Sequence, residues 1–172
     1  SASVSPQIGT YFGGEVTSSS IDTTAGRITR VGDFGIGATN GSPTLALNSA
    51  TTTGIYNYVG TDPNSPFGAE GGSFIVTRHA GIFVTQLAFP AVSRLAATRT
   101  SSDSGATWTA WSRIYNQTSI LGRVSQSAGV PTGALFEPIS NANGRAIRYP
   151  DGTQICWHEL PVTGAINTAF LG

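Results

Sequence analysis

The segment Leu95–Tyr115, LAATRTSSDSGATWTAWSRIY, decides the fold of this chain. Its first residues alternate with the period of two that is typical of a half-buried β-strand. Asp103 and Gly105 follow. They favour a turn, because an aspartate side chain can accept hydrogen bonds from the backbone ahead of it and a glycine can adopt positive φ without a steric cost. Alternation resumes at Thr107. The segment therefore predicts a tight β-hairpin with Asp103 and Gly105 as structural turn residues and Trp108 packed over the turn.

The frame Ser101-x-Asp103-x-Gly105-x-Thr107-Trp108 resembles the Asp-box, a hairpin motif of sialidases and other β proteins. In those families the motif is structural and usually lies far from the catalytic residues. With Trp111 and the ending Arg-Ile-Tyr, the segment also resembles the pyocin-knob module of phage tail fibres and pyocin fibres, over about residues 54–116. The resemblance implies an all-β fold, with a small antiparallel knob module carried on an elongated, intertwined homotrimeric fibre.

The composition agrees with an exposed β assembly and excludes several functions. Of the 172 residues, 39% are hydrophobic, enough for a core, but only 10% are charged, against the usual quarter. All the basic residues are Arg, and nine acids bring the net charge to zero, so we expect no nucleic-acid partner. No apolar run is long enough for membrane insertion, and the single Cys156 excludes an internal disulfide.

Turn signals divide the chain into three predicted parts. Residues 1–48 would form an N-terminal fibre shaft, where Ile28, Phe34 and Ile36 share one parity and would be buried by three copies around an axis. The alternative is an irregular β segment in a monomer. Residues 49–118 would form the knob-like module, an antiparallel meander of about four short strands that ends in the hairpin.

Residues 119–172 would form a neck and the start of a C-terminal tip domain. Pro150-Asp-Gly predicts a turn with Asp151 and Gly152 as its structural residues, because Pro sets φ and Gly takes the left-handed position. The string GVPTGALFE…SNANG…YPDGTQICW resembles the segment before the terminal head of many phage tail fibres. From that resemblance we expect most or all of the tip to be missing, and the absence of Met indicates a fragment of a longer fibre or a processed chain.

The candidate receptor- or glycan-binding residues are Trp111, Arg113 and Tyr115, which share one parity after the hairpin turn. Aromatic faces stack on the C–H surfaces of sugars, and by strand parity at most one of Trp108 and Trp111 faces out. Trp111 would then be an exposed platform beside Arg113 and Tyr115. Packing of the same face against a neighbouring subunit is the alternative.

No catalytic residue, metal site or cofactor is predicted. Glycoside hydrolysis usually needs two carboxylates at one bond, whereas Asp103 and Asp151 lie in turns, and a single Asp-box cannot supply a sialidase propeller. His79 and His158 have no Gly-x-Ser-x-Gly partner motif. Cys156 and His158 share a strand face but lack further ligands, although three His158 side chains could meet on a trimer axis.

The sequence thus predicts a structural and adhesive segment of a phage or phage-like tail fibre, made in the host cytoplasm and acting in the virion. Its expected partners are two further copies of itself, other tail or baseplate proteins, and a bacterial surface glycan or outer-membrane receptor. Two alternatives are a glycan-degrading, sialidase-like or depolymerase-like tailspike fragment and a monomeric carbohydrate-binding module.

Overall fold

The computed structural model describes residues 14–39 and 41–158, and it divides the chain between Ile114 and Tyr115 into two compact units. Both units are built from antiparallel β-sheets. Within the described residues, helical structure is limited to two single 3₁₀ turns, Asp33–Gly35 and Leu47–Ser49. The prediction of an all-β fold is confirmed. Residues 1–13 of the predicted shaft and 159–172 of the predicted tip lie outside the described residues.

The first unit is a five-stranded antiparallel meander in which each strand pairs with the next along the chain. Its strands are β1 (Gly54–Tyr58), β2 (Gly72–His79), β3 (Phe83–Pro90), β4 (Ala96–Ser101) and β5 (Ser112–Ile114). The predicted meander is therefore present, with one more strand than the expected four. The strand after the Asp-box turn is shorter than the alternation predicted, because residues 107–111 form no ladder.

One face of this sheet forms the hydrophobic core. Strand register aligns Tyr56 with Phe74, and Phe74 with Ala88. Leu47, in the second 3₁₀ turn, belongs to the same core. The fully buried members of the cluster are Leu47, Ala50, Tyr56, Tyr58, Phe74, Val76, Val84 and Ala88. Trp108 packs against this cluster, as predicted. The core therefore lies between the sheet and the loops that precede β1 and follow β4.

The opposite face, which we name the outer face, consists of the alternate residues of the same strands. A row of apolar side chains spans the first three strands on this face, since Ile55 pairs with Ile75 and Ile75 pairs with Leu87. No Asp, Glu, Lys or Arg occupies the alternate positions on this face of the described sheet. The sheet thus has one packed face and one uncharged face that is partly apolar.

The described part of the N-terminal segment joins the first unit without adding a strand to its sheet. Val16 and Ile28 form one parallel bridge, and Phe34 adopts a left-handed backbone (φ 54°) and packs against the core. Ile36 is exposed instead. The 3₁₀ turn at Asp33–Gly35 interrupts the strand periodicity, so Phe34 and Ile36 have different environments within one chain. Burial of Ile28, Phe34 and Ile36 between three copies stays a prediction.

The second unit contains a two-stranded and a three-stranded sheet. The first pairs β6 (Gln126–Ser127) with β7 (Val130–Pro131), and the second has β9 (Gly144–Arg148) between β8 (Glu137–Asn141) and β10 (Gln154–Trp157).

The predicted Pro-Asp-Gly turn joins the last two strands of this unit. Gly152 has φ of 91°, and the Thr153 amide donates to Oδ1 of Asp151 at 2.8 Å. The turn prediction is confirmed. Among the helices that the structure describes, none is long and apolar enough to cross a bilayer.

Candidate functional site

The Asp-box hairpin is held by a compact set of hydrogen bonds. Asp103 accepts from the Thr107 amide at 2.9 Å and from the Thr107 hydroxyl at 2.5 Å. The Ser101 hydroxyl donates to Asp103 at 2.7 Å and accepts from the Gly105 amide at 2.8 Å. Ser104 and Gly105 both have positive φ, at 64° and 93°. The polar groups of the motif are therefore used within the turn itself.

These bonds also set the electrostatics of the turn. The side chain and backbone of Thr107, followed by the Ser101 hydroxyl, stabilise the ionised carboxylate and lower the pKa of Asp103 to about 2. A carboxyl group with such a low pKa stays ionised at neutral pH and is a poor general acid. The geometry thus supports the structural role predicted for Asp103 and Gly105.

The two tryptophans that follow the turn pack against the buried guanidinium of Arg99. The guanidinium of Arg99, on β4, lies over the ring of Trp108 and over the ring of Trp111. Its Nε donates to Oε1 of Gln86 at 2.9 Å, and the Gln86 amide donates to the carbonyls of Leu47 and Ala50 at 2.7 and 2.8 Å. Burial lowers the pKa of Arg99 to about 10. The cation is stabilised by a neutral amide and two indole faces.

Trp111 is therefore not the exposed platform that strand parity predicted. Its ring packs against the core cluster, and its Nε1 donates to the carbonyl of Asn64 at 2.8 Å. Trp108 and Trp111 pack on the same cation because the chain between them is irregular rather than a strand. Strand parity could not predict that both rings pack on Arg99, since the alternation of side chains between two faces holds only within a ladder.

The other two predicted binding residues have different settings. Arg113 is half-buried on β5 and pairs in register with Ala97. Tyr115 belongs to the second unit, where its hydroxyl donates to the carbonyl of Gly133 at 3.0 Å. Their role in binding a receptor or glycan, together with Trp111, stays a prediction.

The outer face is a candidate surface that the sequence did not single out. Ile55, Ile75, Phe83 and Ile114 are each 37–47% exposed on it. The sequence signal was present, because Phe83, Thr85, Leu87 and Phe89 alternate with buried residues on β3. What the sequence did not reveal was which of the two alternating sets would face the core.

A second candidate lies in the three-stranded sheet of the second unit. At the open end of β9 and β10, a hollow of about 200 Å³ is lined by polar and aromatic side chains that include Asn141, Arg145, Trp157 and His158. Trp157 is 40% exposed. We name this hollow the β9–β10 cleft. The proximity of Arg145 and Trp157 could not be predicted from the sequence, because it depends on strand register.

Most carboxylates of the described residues accept structural hydrogen bonds. Asp62 accepts from the amides of Leu47 and Asn64, each at 2.8 Å, and Glu70 accepts from the Ser93 hydroxyl at 2.6 Å. The described residues contain no group of three His, Cys, Asp or Glu side chains placed to hold a metal ion.

No protein-family model, curated protein sequence or solved structure matches this chain.

Proposed function

We propose that this chain is a structural and adhesive segment of a phage or phage-like tail fibre, which assembles as a homotrimer and positions or forms a host-receptor-binding surface. The observation that carries the proposal is the outer face of the five-stranded sheet. A sheet face with exposed Ile55, Ile75 and Ile114 and no charged side chain is costly to leave in water. Assembly would cover it.

The dimensions of the outer face suit a contact surface. Five strands spaced about 4.8 Å apart, with roughly five residues each at about 3.3 Å, cover roughly 400 Å². Only part of this area is apolar, and a standard interface takes about 800 Å² from each partner. The outer face would therefore supply part of the subunit interface, and other segments of the fibre would supply the rest.

A further copy of the same chain is a suitable partner for this face. The face carries no Asp, Glu, Lys or Arg, so copies meet without like-charge repulsion and without desolvating ions. Rotational symmetry also gives every copy the same surroundings. Three copies on one axis multiply a weak receptor contact through effective concentration, which is the mechanism proposed for adsorption.

Adhesion is tested by retention on immobilised capsular polysaccharides and lipopolysaccharides from a panel of bacteria. We expect reversible retention on part of the panel, with no release of reducing ends after long incubation. Time-dependent release of reducing ends would identify a glycan-degrading enzyme instead. Absence of retention across the panel would contradict an adhesive role for this segment.

A further inference from the structure

The β9–β10 cleft is a small hollow beside Arg145 and Trp157. Its volume of about 200 Å³ is below the range of roughly 300–1,000 Å³ that is common for ligand pockets, so it would contact part of a larger ligand rather than enclose a whole one. It lies at one end of the three-stranded sheet, where the turn after β8 meets the end of β10. Asn141 closes that turn by accepting from the Asn143 amide at 2.9 Å. The position of the cleft is thus fixed by a tight turn and strand pairing.

Strand register places a cation directly beside an aromatic ring in the cleft. Arg145 on β9 pairs with Trp157 on β10 and with Ser140 on β8, so the three side chains share one face of the sheet. Arg145 and Trp157 are both exposed. A row of hydroxyl, guanidinium and indole groups therefore crosses the three strands.

Arg145 makes no ion pair or hydrogen bond through its side chain to any residue that the structure describes. Arg148, on the same strand, provides the contrast, because its guanidinium lies 3.5 Å from the Glu137 carboxylate and 3.2 Å from the Gln154 amide oxygen. Among the residues that the structure describes, no carboxylate lines the cleft. Within that part of the chain, Arg145 is therefore the charged group that a ligand in the cleft would meet without a competing carboxylate.

Gly144 allows β9 and β10 to approach each other closely at the cleft. Its φ is 121°, and a Cβ placed on it would lie 2.6 Å from the Trp157 carbonyl oxygen and 3.2 Å from Nδ1 of His158. A side chain here would push β10 away from β9. The close approach of the two strands that aligns Trp157 with Arg145 thus depends on glycine at this position.

We propose that the β9–β10 cleft binds an acidic saccharide, with a sugar ring on the indole of Trp157 and the sugar carboxylate on the guanidinium of Arg145. Indole faces accept the apolar C–H faces of sugars, and Arg binds carboxylates through paired, charge-assisted hydrogen bonds. Ser140 and Asn141 supply further donors and acceptors for ring hydroxyls. The inference rests on the proposed adhesive function and names the class of glycan that the fibre would contact.

Tryptophan fluorescence titrations with defined oligosaccharides test the site. The acidic probes are tetragalacturonate, a hyaluronan tetrasaccharide and an α-2,8-linked sialic acid tetramer, and maltotetraose is the neutral probe. We expect the full chain to bind at least one acidic probe at least tenfold more tightly than maltotetraose. Arg145→Gln should weaken that binding at least tenfold, and Trp157→Ala should abolish it.

Two matched control variants distinguish a specific loss of the binding site from a general effect of substitution on folding. Arg123→Gln removes an exposed arginine from the same unit but outside the cleft, and Ile155→Ser changes an exposed residue on the strand that carries Trp157. Both variants should bind like the parent chain. Failure to bind any acidic probe, or full retention of binding in Arg145→Gln, would overturn the site. Loss of binding in Trp111→Ala, with Trp157→Ala unaffected, would move the site to the Asp-box hairpin.

The outcome also distinguishes this inference from the proposed function. If Arg145→Gln still binds bacterial polysaccharide as a trimer, the cleft is wrong and the fibre proposal stands. If the chain binds the acidic probe through Arg145 and Trp157 as a monomer, the cleft stands and the trimeric fibre is wrong.

Discussion

The guanidinium carbon of Arg99 lies 4.3 Å from the centre of the Trp108 ring, in the core of the first unit. The same carbon lies 4.5 Å from the centre of the Trp111 ring. The Asp-box turn thus folds the chain back so that two aromatic faces cover a cation on the preceding strand. Because cation–π contacts strengthen when they are desolvated, the hairpin and the buried arginine stabilise each other.

Replacement of Arg99 by Lys should destabilise the first unit by about 1–3 kcal/mol, since Arg99 is only 5% exposed and Lys cannot reproduce the Nε bond to Gln86 or the planar stacking. Urea unfolding followed by tryptophan fluorescence measures the change. Arg113→Lys on the neighbouring strand is the control and should shift the midpoint little. Equal stability of Arg99→Lys and the parent would contradict a structural role for the stack.

Replacement of Gly105 by Ala should cost more stability than the same change at Gly81. Both glycines have positive φ, at 93° and 80°, so each substitution strains the backbone by about 1–2 kcal/mol. At Gly105 the new Cβ would also lie 2.4 Å from Cγ2 of Thr51, whereas at Gly81 it would meet nothing within 4 Å. Thr51→Ser removes that methyl group and should recover the difference in a double-mutant cycle.

Acid should weaken the Asp-box turn. The folded state lowers the pKa of Asp103 from 3.8 to about 2, so the stabilisation is present above about pH 4 and is lost as the pH falls towards 2. Asp103→Asn has no such titration. Thermal midpoints of the parent and variant should therefore differ most near neutral pH and converge near pH 2, while other carboxylates titrate in both proteins. A gap that does not change with pH would show that the Asp103 bonds do not favour its ionised form.

Replacement of Ile75 by Lys should dissociate the proposed assembly without unfolding the subunit. Ile75 is 37% exposed in the centre of the outer face, so Lys is tolerated in a single chain but would be buried and unpaired between copies. Light scattering should report a lower mass, with circular dichroism unchanged. Val92→Lys is the control, because Val92 is 85% exposed in the loop after β3 and should leave the mass unchanged. An unchanged mass for Ile75→Lys would remove the outer face from the interface.

The local turns of this fold could be predicted from the sequence because their chemistry is contained within a few residues. Asp103 with Gly105, and Asp151 with Gly152, form the predicted turns, and the antiparallel meander follows from the spacing of short alternating strands. In each case the deciding interaction is a side-chain-to-backbone hydrogen bond or a positive φ. Such interactions require no knowledge of the rest of the fold.

The environment of Trp111 and the pairing of Arg145 with Trp157 could not be predicted in the same way. Trp111 lies in an irregular segment, where period-two parity does not determine the direction of a side chain. Arg145 and Trp157 meet through the register of two strands, which is set by the turn between them and by their packing. These are long-range properties, and alternation alone does not contain them.

The mass of the full chain in solution, measured by light scattering over a range of concentrations, tests the central claim most directly. The fibre account predicts a mass of three times 17.7 kDa that persists on dilution. A stable mass of 17.7 kDa at all concentrations would contradict the trimeric fibre and would leave the outer face of the sheet exposed in the functional protein.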